Sequence, residues 1–136
     1  MNANEEGSGG HDRLSRRVIA CAYAVSNELG AGFLEVVYAN AFCIELEQCE
    51  IPFEREKQLE VLYKDLVVGR YAADLVVAGT LLVEIKALRS LSADHDAQVL
   101  NYLRATGLTV GLLLNFGRPR MQVRRLVWGH DETRAI

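Results

Sequence analysis

The first part of the chain has apolar residues at helical spacing. Over residues 13–29 they recur every three or four positions, which predicts an amphipathic helix with one buried stripe. The Gly-Ala-Gly stretch at residues 30–32 stops this helix and lets the chain restart, because glycine tolerates the left-handed backbone of a helix end. A second helix is predicted over residues 34–49, and Pro52 marks the change to extended structure.

The pattern from Phe53 onward is mainly that of β-strands. Three strands joined by short turns are predicted over residues 53–63, 67–77 and 81–87. A third helix follows over residues 92–105, with Ser92 as its N-cap and Gly107 as its stop. Two further strands are predicted over residues 109–116 and 121–128.

The predicted order of elements is therefore α-α-β-β-β-α-β-β, which indicates an α/β fold. Short turns make the first three strands antiparallel, and the crossover through the third helix makes the fourth strand parallel to the third. We expect a mixed sheet flanked by helices, in a single domain over residues 13–129. The polar, Gly-rich residues 1–12 are predicted to be a disordered lead-in, and residues 130–136 a polar tail.

Three charged residues interrupt the otherwise apolar hairpin DLVVAGTLLVEIKA at residues 74–87. A charge in a buried strand needs a partner or a metal ion, because its desolvation is costly. Glu84 and Lys86 are two residues apart and so point to the same side of the sheet, and the intervening turn brings Asp74 toward Glu84. Two carboxylates beside a lysine predict a Mg²⁺ site, where the ammonium group orients a water molecule or stabilises charge on a phosphate. The alternative is a surface Glu84–Lys86 pair on an edge strand, with Asp74 at a strand end.

Two helical segments carry further polar side chains. Glu35 opens the second helix, where the helix dipole favours a carboxylate, and Tyr38 lies one turn later on the same face. The alternative is an ordinary first-turn acid and a core tyrosine. His95, Gln98 and Tyr102 form one polar stripe on the third helix. This stripe faces either a polar site or solvent, with Tyr102 as a partly buried anchor.

Composition and charge limit the class of protein. Half of the 136 residues are hydrophobic and 24% are charged, as in ordinary globular proteins. No apolar run approaches the roughly 20 residues that cross a membrane, and the N-terminus has neither the basic start nor the apolar stretch of a signal peptide. The three cysteines, Cys21, Cys43 and Cys49, fit no zinc pattern, so we interpret them as reduced packing groups in a cytoplasmic protein.

The formal net charge of −3 argues against a generic basic surface that coats nucleic acid. It does not exclude a local site, because a bound metal ion reverses the sign of an acidic centre. Basic residues also crowd near the C-terminus, where they form either a solvated face or a local binding surface: Arg118, Arg120, Arg124 and Arg125.

Taken together, these segments resemble the PD-(D/E)XK nuclease superfamily and, within it, the bacterial GxxExxY family. Five segments match in the same order: GFLEVVY (32–38), the aspartate of RYAADLVV (70–77), VEIKA (83–87), AQVLNYL (97–103) and GLLLNFG (111–117). The resemblance covers roughly residues 13–128 and implies a restriction-endonuclease-like core. One departure is Ala73, which stands before Asp74 where the superfamily's name has proline.

The resemblance implies a role for each matched residue. Asp74 and Glu84 look like the main ligands of Mg²⁺ or Mn²⁺, helped by the backbone carbonyl of Ile85. Glu35 looks like the acid of the first core helix, a direct or water-mediated ligand, and Lys86 looks like the catalytic lysine.

Four other residues look like auxiliary ones. Gln98 and Tyr102 are similar to the pair that RecB-like members use to place the lysine or the DNA backbone. Tyr38 belongs to the family signature, and an auxiliary role is also expected of His95. The basic residues of the last strand and the turn before it are expected to follow the DNA backbone.

The function implied is metal-dependent hydrolysis of DNA phosphodiester bonds, with single-stranded or branched DNA among the candidate substrates and no membrane involved. The alternative is a nuclease-fold protein with weak or no catalysis, which acts as a nucleic-acid-binding or scaffold subunit or as a homodimer. A narrower alternative is a junction-resolving dimer, whose interface the sequence does not reveal.

Overall fold

The computed structural model describes residues 9–129, with side chains from residue 13 onward. Its elements are, in chain order, α1 (Gly9–Leu29), α2 (Glu35–Gln48), β1 (Phe53–Tyr63), β2 (Leu66–Val77), β3 (Leu81–Lys86), α3 (Ala93–Thr106), β4 (Val110–Asn115) and β5 (Gln122–Val127). The predicted order is confirmed. Helix α1 begins before the predicted start, so part of the predicted lead-in is helical. Residues 1–8 and the predicted tail lie outside the described residues.

The five strands form one sheet in the order β1-β2-β3-β4-β5. The first three strands are antiparallel, β4 runs parallel to β3, and β5 is antiparallel to β4. Lys64 and Asp65 both have positive φ, as a two-residue hairpin turn requires, and Ala78 and Gly79 do so in the next turn. The mixed sheet expected from the sequence is therefore confirmed, including the parallel pair β3 and β4, which α3 connects.

The sheet separates two apolar clusters. Helices α1 and α2 pack on one face, against residues such as Val83 and Ile85, and α3 packs on the other, against Leu82 and Leu113. Because strand side chains alternate, Glu84 is in phase with Leu82 and projects to the α3 side. None of the described helices is long and apolar enough to cross a membrane.

Strand β2 changes the face to which its side chains point at Asp74. Tyr71 and Ala73 belong to the cluster on the α3 side, whereas Leu75 belongs to the cluster on the α1/α2 side. Strict alternation would put all three on one face. On β1, Glu56 lies between the residues that pair with Leu75 and Ala73, and its φ of 53° is in the left-handed region rather than the extended one. Both strands are thus irregular at the level of Asp74.

Candidate active site

Asp74 and Glu84 meet where β2 and β3 separate. The backbone ladder between these strands ends with the pair Leu75 and Val83. Beyond it, the backbone N–H of Asp74 donates to Oε2 of Glu84 at 2.9 Å, and the N–H of Ile85 donates to Oδ2 of Asp74 at 2.7 Å. Each carboxylate therefore takes the place of a strand–strand hydrogen bond, and this fixes the two acids next to each other.

The two acids are poorly solvated and repel each other. Glu84 is only 6% exposed, and its burial, followed by the charge of Asp74, raises its pKa to about 7. Burial also raises the pKa of Asp74, although the hydrogen bond from Ile85 and the charge of Lys86 act in the opposite direction. The surroundings therefore do not fully compensate the negative charge of the two carboxylates. A bound cation would compensate it.

Glu35 approaches these acids from the start of α2. Its side chain is exposed, yet partial desolvation and then the charge of Asp74 raise its pKa, while Lys86 lowers it. These interactions bring together residues that are far apart in the sequence, as the resemblance implied. Lys86 is half-buried and follows Glu84 by two residues on β3, so it projects to the same side of the sheet.

A cleft of about 270 Å³ opens between α2, β1 and the strand ends. Two of its residues, Arg55 and Glu56, were missed by the sequence analysis. Arg55 lowers the pKa of Asp74 and Glu56 raises it, so both charges reach the site. The run of charged residues at the start of β1 was the sequence signal that could have pointed to them. The residues lining the cleft are Glu35, Val36, Ala39, Arg55, Glu56, Asp74 and Ile85.

Tyr38 supports the loop that leads into Glu35. Its hydroxyl donates to the carbonyl of Gly30 at 2.6 Å and accepts from the N–H of Phe33 at 3.1 Å. The ring is fully buried and stacks on Phe116, with centroids 4.9 Å apart and planes 10° from parallel. The structure therefore places Tyr38 in the core, where it holds the segment before α2.

The stripe on α3 faces the sheet through Tyr102. Its ring stacks on Tyr71, with centroids 3.4 Å apart and planes 18° from parallel. Burial and then the charge of Glu84 raise the pKa of Tyr102, while a hydrogen bond with the exposed side chain of Gln98 lowers it. Tyr71 is a further residue that the sequence analysis missed, because it reads as an ordinary strand aromatic.

His95 forms part of the α3 cap. Its Nδ1 accepts a hydrogen bond from the backbone N–H of Ser92 at 2.9 Å. Ser92 is the N-cap residue, as predicted. One ring nitrogen of His95 is thus engaged with the start of α3, and its auxiliary role in the site stays a prediction.

The predicted arginine surface divides into two parts. Arg124 forms an ion pair with Asp96, Nη1 to Oδ2 at 2.7 Å, which links β5 to the first turn of α3. Both side chains are about one-third exposed or less, at 35% and 27%. Arg118, Arg120 and Arg125 are exposed. Arg124 therefore has a structural partner, and DNA contact by the four arginines stays a prediction.

The predicted ligands do not form a closed cluster among the residues that the structure describes. Within residues 13–129, no three His, Cys, Asp or Glu side chains are grouped so that they could hold a metal ion. Asp74 and Glu84 adjoin, and Glu35 lies at the cleft, where the prediction of a direct or water-mediated ligand stays a prediction. Mg²⁺ is often held by only one or two carboxylates, with water and phosphate oxygens completing its shell. The hard oxygen donors and the uncompensated charge of the pair fit such a cation.

The comparison with known families agrees with this geometry. A family model described as the PD-(D/E)XK nuclease superfamily matches residues 12–126. The chain belongs to this superfamily. Proteins of the superfamily are generally nucleases and typically use divalent metals.

One solved structure resembles this PD-(D/E)XK protein in fold. It is the crystal structure of SSO0001, which superposes with a TM-score of 0.53 and is 20% identical in sequence. The match covers 90% of the present chain and 61% of that chain. Because the identity is only 20%, the likeness concerns the fold alone. No protein of curated function matches the sequence.

Proposed function

We propose that the protein is a divalent-metal-dependent nuclease of the GxxExxY type, which hydrolyses DNA phosphodiester bonds with Mg²⁺ or Mn²⁺. The observation that carries the proposal is the contact between Asp74 and Glu84 at the point where β2 and β3 separate, with Lys86 two residues further on. Two carboxylates that are fixed in place and insufficiently compensated, beside a lysine, favour binding of a cation together with a phosphate.

Asp74, Glu84 and the carbonyl of Ile85 would hold the cation, with Glu35 reaching it across the cleft directly or through water. When bound, the cation lowers the pKa of a water molecule and neutralises charge on the scissile phosphate. Lys86 orients the attacking water and stabilises the negative charge that develops on the phosphate. Asp74 and Glu84 keep their orientation because the backbone N–H of Ile85 fixes one and that of Asp74 fixes the other.

The remaining predicted residues assist in placing the substrate. Gln98 hydrogen-bonds to Tyr102 and sets the position of its hydroxyl, which lies within electrostatic reach of both acids. The exposed arginines on the turn before β5, Arg118 and Arg120, are proposed to contact the DNA backbone. The negative charge of the phosphates attracts these two arginines whatever the base sequence of the DNA.

The test is cleavage of labelled single-stranded, duplex and branched DNA with Mg²⁺ or Mn²⁺ and with a chelator. We expect metal-dependent cleavage that Lys86→Ala lowers by about 100-fold or more, because it removes a charge aimed at the reacting phosphate. The control is Lys57→Ala, since Lys57 is a surface lysine whose ion pair is with Glu54. Cleavage that survives Lys86→Ala unchanged would contradict the proposal.

The second candidate is a binding or scaffold protein with little catalysis. It is favoured by a group of large apolar side chains exposed around the end of the β1–β2 hairpin: Leu62, Tyr63, Leu66, Val67 and Val68. Such a surface is typical of contact with another protein or a second copy. A melting temperature that does not respond to Mn²⁺, together with a dimer in sedimentation and no cleavage, would favour this function over the first.

A further inference from the structure

Tyr71 lies on β2 and faces the same side of the sheet as Glu84. Its ring packs with the cluster on the α3 side, to which Ala73 and Leu82 also belong. Glu84 follows Leu82 by two residues on the neighbouring strand and therefore projects to that side as well. Tyr71 and Glu84 thus share one face of two adjacent strands.

The Tyr71 ring is held by stacking. It lies against the ring of Tyr102, with the centroids 3.4 Å apart, and Tyr102 is itself hydrogen-bonded to Gln98. Because the ring is fixed on one face, its hydroxyl points in a set direction. This connects Tyr71 directly with the pair of α3 residues already assigned to the site.

The Tyr71 hydroxyl is not used by the fold. Its oxygen is closed off from solvent and has no hydrogen-bond partner among the described residues. A buried hydroxyl in this state costs free energy, because it has given up its hydrogen bonds to water. Phenylalanine would fill the same space without that cost. The hydroxyl is therefore a group for which stability provides no reason.

Glu84 has an acceptor to match this donor. Its Oε2 accepts the N–H of Asp74, while no hydrogen bond within residues 13–129 reaches its Oε1. The carboxylate and the phenol already interact through space, since burial and then the charge of Glu84 raise the pKa of Tyr71. An unused donor and an unused acceptor thus lie on one face of the sheet.

We propose that Tyr71 is a positioning residue of the site. Its hydroxyl, which has no partner among the described residues, donates to the free carboxylate oxygen of Glu84 when a cation is bound and holds it in its working orientation. The inference rests on the proposed function. The Tyr71 hydroxyl is closed off from solvent and acts through Glu84, so it does not touch DNA. Its contribution is to turnover and cation affinity, and the Michaelis constant for DNA does not depend on it.

The test is Tyr71→Phe in the full chain, which keeps the stacked ring and removes only the hydroxyl. Ser15→Ala is the matched control, because Ser15 on α1 also has a buried hydroxyl without a partner among the described residues. The measurements are the melting temperature, the affinity for MnCl₂ from its effect on melting, and kcat and KM on a DNA oligonucleotide. Without added metal, both variants are expected to melt at or above the wild-type temperature, because neither hydroxyl has a partner among the described residues.

Only Tyr71→Phe is expected to change function. It should lower kcat and Mn²⁺ affinity by roughly 10-fold, the scale found when a residue that orients a metal ligand is removed, with KM unchanged. Wild-type values of both would overturn this inference and leave the proposed function standing. So would a melting temperature of Tyr71→Phe without added metal that is low enough to account for the lost activity. If the wild-type protein neither binds Mn²⁺ nor cleaves DNA, the proposed function fails and this inference fails with it.

Discussion

The backbone N–H of Asp74 donates a hydrogen bond to the carboxylate of Glu84, 2.9 Å away on the neighbouring strand. The carboxylate of Asp74 in turn accepts from the N–H of Ile85 at 2.7 Å. The acids therefore have a structural task as well as the proposed catalytic one. Variants that keep the acceptor but remove the charge separate these two tasks.

Asp74→Asn and Asp74→Ala should differ in stability and agree in activity. Asparagine can still accept from Ile85, whereas alanine leaves that buried N–H without a partner at a cost of about 1–3 kcal/mol. Both variants lose the carboxylate and should lose metal-dependent cleavage. Chemical denaturation measures the first effect and the DNA assay the second. Equal stability of the two variants would show that the hydrogen bond does not support the strand ends.

Glu84→Gln should stabilise the metal-free protein at high pH. The pKa of Glu84 is raised from 4.5 to about 7 in the folded state, so the folded protein keeps this proton longer than the unfolded chain does. Its contribution is fully favourable below pH 4.5 and is lost as the pH rises through 7. Relative to the wild type, the free energy of unfolding of the variant should be higher by on the order of 3 kcal/mol at about pH 8. The two proteins should be almost equally stable below pH 4.5.

Denaturation of both proteins in a chelator, at a series of pH values, measures this difference. Glutamine still offers an oxygen to the N–H of Asp74, so the comparison isolates the charge. A difference that does not vary with pH would contradict the account of Glu84 as an acid with a raised pKa.

The eight elements and the approach of Asp74 to Glu84 could be predicted from the sequence. Helical and strand periods differ clearly in this chain, and a short hairpin turn leaves few registers that keep the apolar residues inside. Ser92 was also predictable as an N-cap, because serine before a helix accepts hydrogen bonds from its first turn. These features depend on local chemistry, which a single sequence contains.

Other parts of the site depend on irregular backbone and long-range packing. Tyr71 and Leu75 would share a face if β2 alternated strictly, so the sequence could not place Tyr71 on the same side of the sheet as Glu84. The left-handed backbone of Glu56 likewise has no local signal, since glutamate has no preference for positive φ. His95 has the spacing of a site residue and equally that of a cap, and its capping contact with Ser92 is evident only from the fold.

Tyr38→Phe tests the support of the loop before α2. The hydroxyl joins the carbonyl of Gly30 to the N–H of Phe33, and its removal should lower stability by about 1 kcal/mol. Cleavage should fall as well, because Glu35 follows this loop directly. Thermal denaturation and the DNA assay measure both effects. Full activity in a destabilised variant would show that the loop does not position Glu35.

Cys21 and Cys49 are expected to form a disulfide under oxidation. Their sulfur atoms are 3.7 Å apart, Cys49 is exposed, and 28 positions separate them in the chain. Treatment with oxidised glutathione should give a product lighter by two hydrogens and more stable by about 2–4 kcal/mol. Cys49→Ser should show neither change. A protein that takes up only glutathione, with no internal disulfide, would contradict this expectation.

The central claim is that Asp74 and Glu84 form an open divalent-cation site, and a Mn²⁺-soaked crystal tests it most directly. The account predicts an anomalous peak with oxygens of Asp74 and Glu84 at roughly 2.0–2.2 Å and water in the remaining positions. The peak should be absent from the Asp74→Asn variant. A protein that cleaves DNA with Mn²⁺ while its only anomalous peak lies away from these two carboxylates would contradict the account.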